Sequence, residues 1–277
     1  MALVYALFKI KTGLRKWSKG MRRTFSCICV ITLWWCFSNT AYTKPSDEMG
    51  LVIAMQVEKR DSGWGDMSAN VTMTLRGKGA GEKRVIFSLQ LLESEDGNQS
   101  LIVIKSPNEL KGVALLTQGN LIEFSEQWTV TPGSNAQPVF FSEKANSFLG
   151  GELSYEDLSL SGVDQYRHEY KYDEELNGQT AFVVERFPLY DDSAYSRLMV
   201  WIDKTMYQPV KIEYYDHANK LFKTQYYQRY RQYLERHWRP GSIEMHNHQT
   251  GHVTVLEFND IRFKQGLSKE IFLIQDE

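Results

Sequence analysis

The sequence predicts a mainly β fold: a curved antiparallel sheet of about eleven strands, preceded by one N-terminal helix and interrupted once by an irregular segment. Three observations predict it. Apolar residues alternate with polar ones along most of the chain after residue 68. Polar turns, several containing glycine, punctuate those runs, and aromatic residues, which suit strands, make up 13% of the chain.

Residues 1–43 differ from everything that follows. They carry seven Lys and Arg residues and no acid, and Met21-Arg22-Arg23 is followed by the uncharged run TFSCICVITLWWCF. A charged start followed by a short apolar run is the pattern of a secretory signal, and the run falls short of the roughly 20 residues needed to span a bilayer. We read residues 1–43 as a signal peptide, with Met21 as an alternative start that makes residues 1–20 an over-long extension. The cleavage site is poor, because Asn39 stands two positions before Ala41, so an uncleaved inner-membrane anchor is the alternative. Cys27, Cys29 and Cys36 all fall here. The remaining domain, 44–277, thus has no thiol for a disulfide, a metal or a nucleophile. It holds 25 basic against 34 acidic residues, a formal charge of −9 against −2 for the whole chain, which disfavours nucleic acid as a partner.

Within residues 44–277 the elements follow in order. Residues 46–60 open with Ser46 and acids suited to a helix N-terminus and place Ile53 and Val57 one turn apart, which predicts a single amphipathic helix. Asp61, Gly63 and Gly65 end it. The period then changes to two, at Val71, Met73 and Leu75 and again at Val85, Phe87, Leu89 and Leu91, with RGKGAGEK and ESEDGNQ as the intervening turns. Residues 101–105, 113–117 and 127–130 continue the meander. Residues 131–162 break the rhythm with two prolines and adjacent glycines and predict a long loop with short helices. Strands resume at 166–173, 180–187, 197–203, 208–216, 220–233, 242–249 and 252–263, with turn signals such as Asn177-Gly178. No linker or repeat divides them, so one domain is expected. A meander of this length curls, because strands twist, and the curl makes a concave face filled either by a helix core or by a ligand.

The stretch SFLGGELSYEDL (147–158) resembles the bacterial outer-membrane lipoprotein-sorting protein family, whose members share the fold of the carrier LolA. Matching stretches continue at EKRDSGWGDM (58–67), SPNELKGVALLT (106–117), YSRLMVWIDKTMYQPVKIEYYD (195–216), LFKTQYY (221–227) and WRPGSIEMHNHQTGHVTVLEFNDIRFKQGL (238–267). The resemblance implies an incomplete β-barrel closed on one side by helices, with an apolar cavity beneath a helical and loop lid. It also implies a periplasmic carrier of lipid or acylated lipoprotein, of a family often associated with inner-membrane permeases of the resistance-nodulation-division type, which makes such a permease a candidate partner; a monomer is expected. Departures from the family pattern fall at Gly112-Val113, where threonine usually follows the glycine, and at Gly150 to Tyr155. The usual basic cluster between Trp128 and Ser147 is also missing.

An acyl chain needs apolar area and few hydrogen bonds. Candidates to line its cavity are Leu75, Val85, Phe87, Leu89, Val103, Leu115, Val183, Val200, Ile212 and Val255. The alternative is that they pack under the helix as ordinary core; the resemblance favours the cavity for the set. Phe148, Gly150, Gly151 and Tyr155, with Ile53 and Val57 on the helix, are candidates for a lid or gate, while Glu156 and Asp157 beside them suit a cap or an arginine partner. His246, His248 and His252 have hairpin spacing compatible with a metal, but no carboxylate obviously joins them, and neither metal nor cofactor is expected. Trp64, Trp128, Trp201 and Trp238, with Tyr214, Tyr215, Tyr226, Tyr227 and Tyr230, admit a glycan-binding platform but are also what antiparallel strands pack with. No nucleophile elbow, phosphate loop, paired-carboxylate or zinc-protease motif occurs, so no enzyme is expected. Besides the carrier, two readings remain: an accessory subunit that docks a permease and carries nothing, and a glycan-binding β module.

Overall fold

The computed structural model of the protein describes residues 44–274, apart from Ala80 and residues 121–124. Residues 1–43, read above as a signal peptide, therefore lie outside the described residues. Among those described, no helix is long and apolar enough to cross a membrane.

Helix α1 spans Pro45–Asp61, with Lys44 rather than Ser46 as its N-cap. Proline at the first helical position explains the start, since its fixed φ suits a helix and its missing N–H is not needed there. The expected amphipathic pattern is corrected. Ile53 and Ala54 are buried, but Met49, Leu51, Val52 and Met55 stand exposed, so the helix is apolar on its outer side as well. It packs against strand β7 (Tyr166–Leu176). Gly50 allows this approach, because a Cβ there would lie 2.7–2.8 Å from backbone atoms of His168, Glu169 and Tyr170.

The remaining strands are β1 (Asp66–Arg76), β2 (Lys83–Leu92), β3 (Gln99–Ser106), β4 (Ala114–Gln118), β5 (Glu126–Val130), β6 (Gln137–Pro138), β8 (Gln179–Pro188), β9 (Arg197–Asp203), β10 (Pro209–Tyr215), β11 (Leu221–Gln228), β12 (Arg231–Tyr233), β13 (His237–Arg239), β14 (Ser242–Asn247) and β15 (Val253–Phe263). Thirteen of these fifteen strands, β7 included, form one antiparallel sheet in the order β6-β5-β4-β3-β2-β1-β15-β14-β11-β10-β9-β8-β7. The count is 13, not about eleven. β6 is only two residues paired to β5, too short to show alternation. The run 220–233 breaks at Arg229, whose φ of 56° turns the chain into the separate hairpin β12–β13. The predicted Asn177-Gly178 turn does join β7 to β8, both residues having positive φ, as a two-residue hairpin loop requires.

Pairing of β1 with β15 joins two meanders, one on each side. The order ends at β6 and β7, which do not pair with each other, so the curved sheet is an incomplete barrel. Its concave face carries one continuous core that runs from Val71 and Met73 on β1 through Phe87 and Ile104 to Val200, Ile212 and Leu256, with Ile53 of α1 packed upon it.

Candidate functional site: a cavity beneath helix α1

The two halves of the concave face are covered differently. Over the β1–β4 half lies the segment 147–158. Phe148 and Leu153 enter the core, the Phe148 amide donates to Leu153 O at 2.7 Å, and a Cβ on Gly151 would collide with the Met73 side chain. Glycine is what lets this turn lie on the sheet.

Over the β7–β11 half a cavity of about 550 Å³ remains, bounded by α1, residues 156–163 and the strands. Ligand pockets commonly measure roughly 300–1,000 Å³. Ala54 and Val57 of α1, Trp64, Leu160, Leu198 and Ile212 supply apolar wall, and Tyr166, Tyr195, Tyr214, Tyr227 and Tyr230 add phenol rings. Strand alternation aims the sheet residues inward. Across the sheet His168, Arg186, Leu198, Tyr214 and Lys223 stand directly opposite one another on β7, β8, β9, β10 and β11, and opposed residues in antiparallel strands share a face.

Glu156, Asp157 and the phenols of this wall are tied down. Glu156 accepts from the Tyr190 hydroxyl at 2.7 Å, the Ser193 hydroxyl at 2.6 Å and the Ala194 amide at 2.8 Å. Asp157 accepts from the Tyr195 hydroxyl at 2.7 Å and the Ser154 amide at 2.8 Å, and it pairs with buried Lys223 at 3.4 Å. Its partner is thus a lysine, not an arginine. The Tyr214 and Tyr227 hydroxyls both donate to Gln225 Oε1, and Tyr230 donates to Pro209 O. Burial raises the pKa of Tyr195, Tyr214, Tyr227 and Tyr230 above the ordinary phenol range, so these rings present neutral hydroxyls. His168 is pushed down to about 4, first by burial and then by the charge of Arg186.

Of the residues the sequence put forward, Ile212, Val57 and Tyr155's neighbours Glu156 and Asp157 line the cavity, as do Trp64, Trp238, Tyr214, Tyr227 and Tyr230 from the aromatic set. Val85, Phe87, Leu115, Val200 and Ile53 lie in the core, with Leu75, Leu89 and Tyr155 packed against it. Val103, Val183 and Val255 alternate to the other side of the sheet: Val183 belongs to a second cluster with Ala181, Met199 and Trp201, Val103 opposes Ser88, and Val255 opposes Thr74. Gly150 forms the tip of the covering segment with φ 75°. The three hairpin histidines point to different partners, His246 to Glu244, His248 to Thr224 and His252 to Glu152. Among the described residues no group of three or more His, Cys, Asp or Glu is placed to hold a metal. None of the nine aromatics considered as a platform is exposed, and Trp64, Trp201 and Tyr214 are buried. The sequence reading passed over Arg186, Tyr166 and Tyr195, and took Tyr214, Tyr227 and Tyr230 only as a glycan platform or strand packing, not as a cavity wall. Their signal was phase: Arg186 follows Val184 by two residues, in step with the inward set.

A family model described only as an uncharacterized protein matches residues 96–275, and no curated protein matches the sequence. The crystal structure of an outer membrane lipoprotein-sorting protein domain from Vibrio parahaemolyticus superposes with a TM-score of 0.79 at 37% identity, covering 82% of this chain and 97% of that one. A DUF1329 family protein from Desulfovibrio piger gives 0.77 at 24% identity, over 83% of this chain and 99% of that one. A LolA superfamily protein from Nitrosomonas europaea gives 0.64 at 21% identity, over 81% and 97% respectively. The last two carry the fold alone. Taken with a 37% identical relative matched over nearly its whole length, this fold and its half-covered concave face place the chain in the outer-membrane lipoprotein-sorting protein family, with a LolA-like architecture.

Proposed function

We propose that this protein is a periplasmic carrier that takes an acyl chain of a lipid or lipoprotein into the cavity beneath α1 and shuttles it between membranes. The observation that carries the reading is the 550 Å³ space left on a concave face whose other half is filled. An acyl chain entering it would be stabilised by roughly 25 cal/mol per Å² of apolar surface removed from water. Membership of a lipoprotein-sorting family supports the same direction. The reading contains no catalytic step. The test is to export the full chain in a bacterial host, purify it without detergent and extract it for lipid mass spectrometry. A stoichiometric lipid or acylated peptide is the expected result. A protein that emerges empty and takes up no amphiphile refutes the carrier.

One observation favours the accessory-subunit reading instead: the outer side of α1 exposes Met49, Leu51, Val52 and Met55, and exposed apolar surface of this kind marks docking sites. An empty protein that co-purifies with an inner-membrane permease through α1 would support it.

A further inference from the structure

Two cations stand in one row across the concave face. Lys223 on β11 is matched by Asp157. Arg186 on β8 is matched by nothing: it makes no ion pair or hydrogen bond with any described residue, and its Nε is enclosed without an acceptor. The groups whose charge acts on it are Tyr166, Tyr214 and Tyr227, and no carboxylate is among them. Four of the five carboxylates lining the cavity are committed elsewhere, Glu156 to three donors, Asp157 to Tyr195, Ser154 and Lys223, Asp61 to Arg239 and Glu93 to the Gly63 and Gly65 amides, while Glu58 stands exposed on α1 and is not among the charges that act on Arg186. Burial works against the guanidinium charge, yet an arginine keeps its proton in proteins. His168, directly opposite on β7, gives no compensation, since it is neutral and its Nδ1 is also without a partner.

A buried charge without a partner costs several kcal/mol, and apolar replacements of buried ions are often stabilising. A strand residue that only had to fill space at this position would not need a guanidinium. The side chain lines the cavity, and a guanidinium is suited to two-point recognition of carboxylate or phosphate oxygens. We propose that the cavity takes an anionic acyl lipid, with the carboxylate or phosphate oxygens of the lipid seated on Arg186 and its chain on the apolar wall. This inference rests on the carrier reading and names its cargo class.

The test uses the full exported chain stripped of lipid, with the neutral probe N-phenyl-1-naphthylamine reporting occupancy. Palmitate, phosphatidylglycerol, hexadecanol and inorganic phosphate are compared as displacers of the probe from the wild type, Arg186→Gln and Arg186→Lys. Loss of a charge-assisted pair predicts that Arg186→Gln weakens the anionic lipid about 10- to 100-fold, that hexadecanol is unaffected, and that Arg186→Lys recovers part of the loss. Arg186→Gln should melt no lower than the wild type, which a purely structural arginine would not allow. Sensitivity of palmitate assigns a carboxylate cargo, and sensitivity of phosphatidylglycerol a phospholipid. Inorganic phosphate alone competing would assign a free anion and overturn the lipid. Anionic and neutral lipids bound alike by both proteins overturn the role of Arg186 and leave the carrier standing. No probe and no lipid bound at all removes the carrier itself.

Discussion

Replacing Gly50 by alanine sets two effects against each other, and the structure decides the sign. In a helix interior alanine is favoured over glycine by about 1 kcal/mol. At this position, however, the added Cβ would lie 2.7 Å from the Tyr170 nitrogen and 2.8 Å from Glu169 N and His168 C. Those are backbone atoms of a hydrogen-bonded strand and cannot rotate away. Restoring an ordinary contact of 3.4 Å means lifting α1 from β7 by about 0.7 Å, which unseats Ile53 and Ala54 as well. Overpacking of this kind costs about 1–3 kcal/mol, and with rigid backbone on one side the upper end applies, so a net loss of about 2 kcal/mol remains after the propensity gain. For a domain of this size that is a fall in Tm of about 4–8 °C. Because Ala54 and Val57 line the cavity, probe binding should weaken in parallel. Val52→Ala, on the exposed side of the same helix, is the control and should change stability by less than about 0.5 kcal/mol. Thermal and urea unfolding measure both. A Gly50→Ala protein as stable as the wild type or more so would show that α1 does not sit on β7 at this distance.

Acid should destabilise the protein through His168. Its folded pKa is about 4 against 6.5 when unfolded, so between those values the unfolded chain binds the extra proton, and stability falls as pH drops through the window, by about 3 kcal/mol in full. Urea titrations from pH 7 to 4 should show a steeper loss for the wild type than for His168→Gln, and equal slopes would refute the assignment. In Arg186→Gln the histidine pKa, followed by NMR, should rise, since the arginine's charge is the second cause that lowers it. Asp157→Ala leaves Lys223 buried without its counter-ion and should cost about 3–5 kcal/mol. Adding Lys223→Met should recover a large part of that loss, and additive losses in the double variant would show that the pair does not interact.

How much of this was legible in the sequence depends on which physical signal each part used. Alternation at Val71-Met73-Leu75 and at Val85-Phe87-Leu89 is strong because those strands bury one face, and Asn177-Gly178 is legible because a two-residue loop demands positive φ. The turn after β11 was not legible: Arg229, Leu234 and Glu235 adopt positive φ with neither glycine nor asparagine to announce it. Nor does alternation say which phase is concave. β9 is buried at six of its seven positions, with Val200 in the main core and Trp201 in the second cluster on the other side. Bulges, as between Ser68 and Asn70 and between Tyr170 and Tyr172, shift parity within one strand. It was the undetermined phase of β3, β8 and β15 that grouped Val103, Val183 and Val255 with residues of the opposite face. Spacing supplied the curved sheet and the resemblance the incomplete barrel with its cavity, but neither speaks of Arg186, whose meaning depends on the partners around it being already engaged.

The two covers of the concave face differ in what holds them, and this bears on which one yields to a ligand. Segment 147–158 is fixed by Phe148 and Leu153 in the core, by the Glu152 amide on Thr254 Oγ1 at 2.8 Å, by Asn247 Nδ2 on the Glu152 carboxylate at 2.6 Å, and by all the bonds to Glu156 and Asp157. Lifting it would strand buried carboxylates and a buried lysine, each at a cost of several kcal/mol. Helix α1 is held by the close approach of Gly50, by burial of Ile53 and Ala54, and by part-exposed ties at its ends, Asp61 to Arg239 at 2.6 Å, Lys59 O to Arg236 at 3.0 Å and Asp47 to Arg167 at 3.7 Å, while its outer side faces water. Opening along α1 therefore unpairs part-exposed groups rather than buried ones, and it leads directly to the cavity wall formed by Ala54 and Val57. In native-state hydrogen exchange the mid-helix amides of α1 should open at a lower free energy than those of Phe148 and Gly151, and saturation with a cavity ligand should slow α1 selectively. Equal protection of the two covers, or slowing confined to residues 147–158, would transfer the role of gate to that segment.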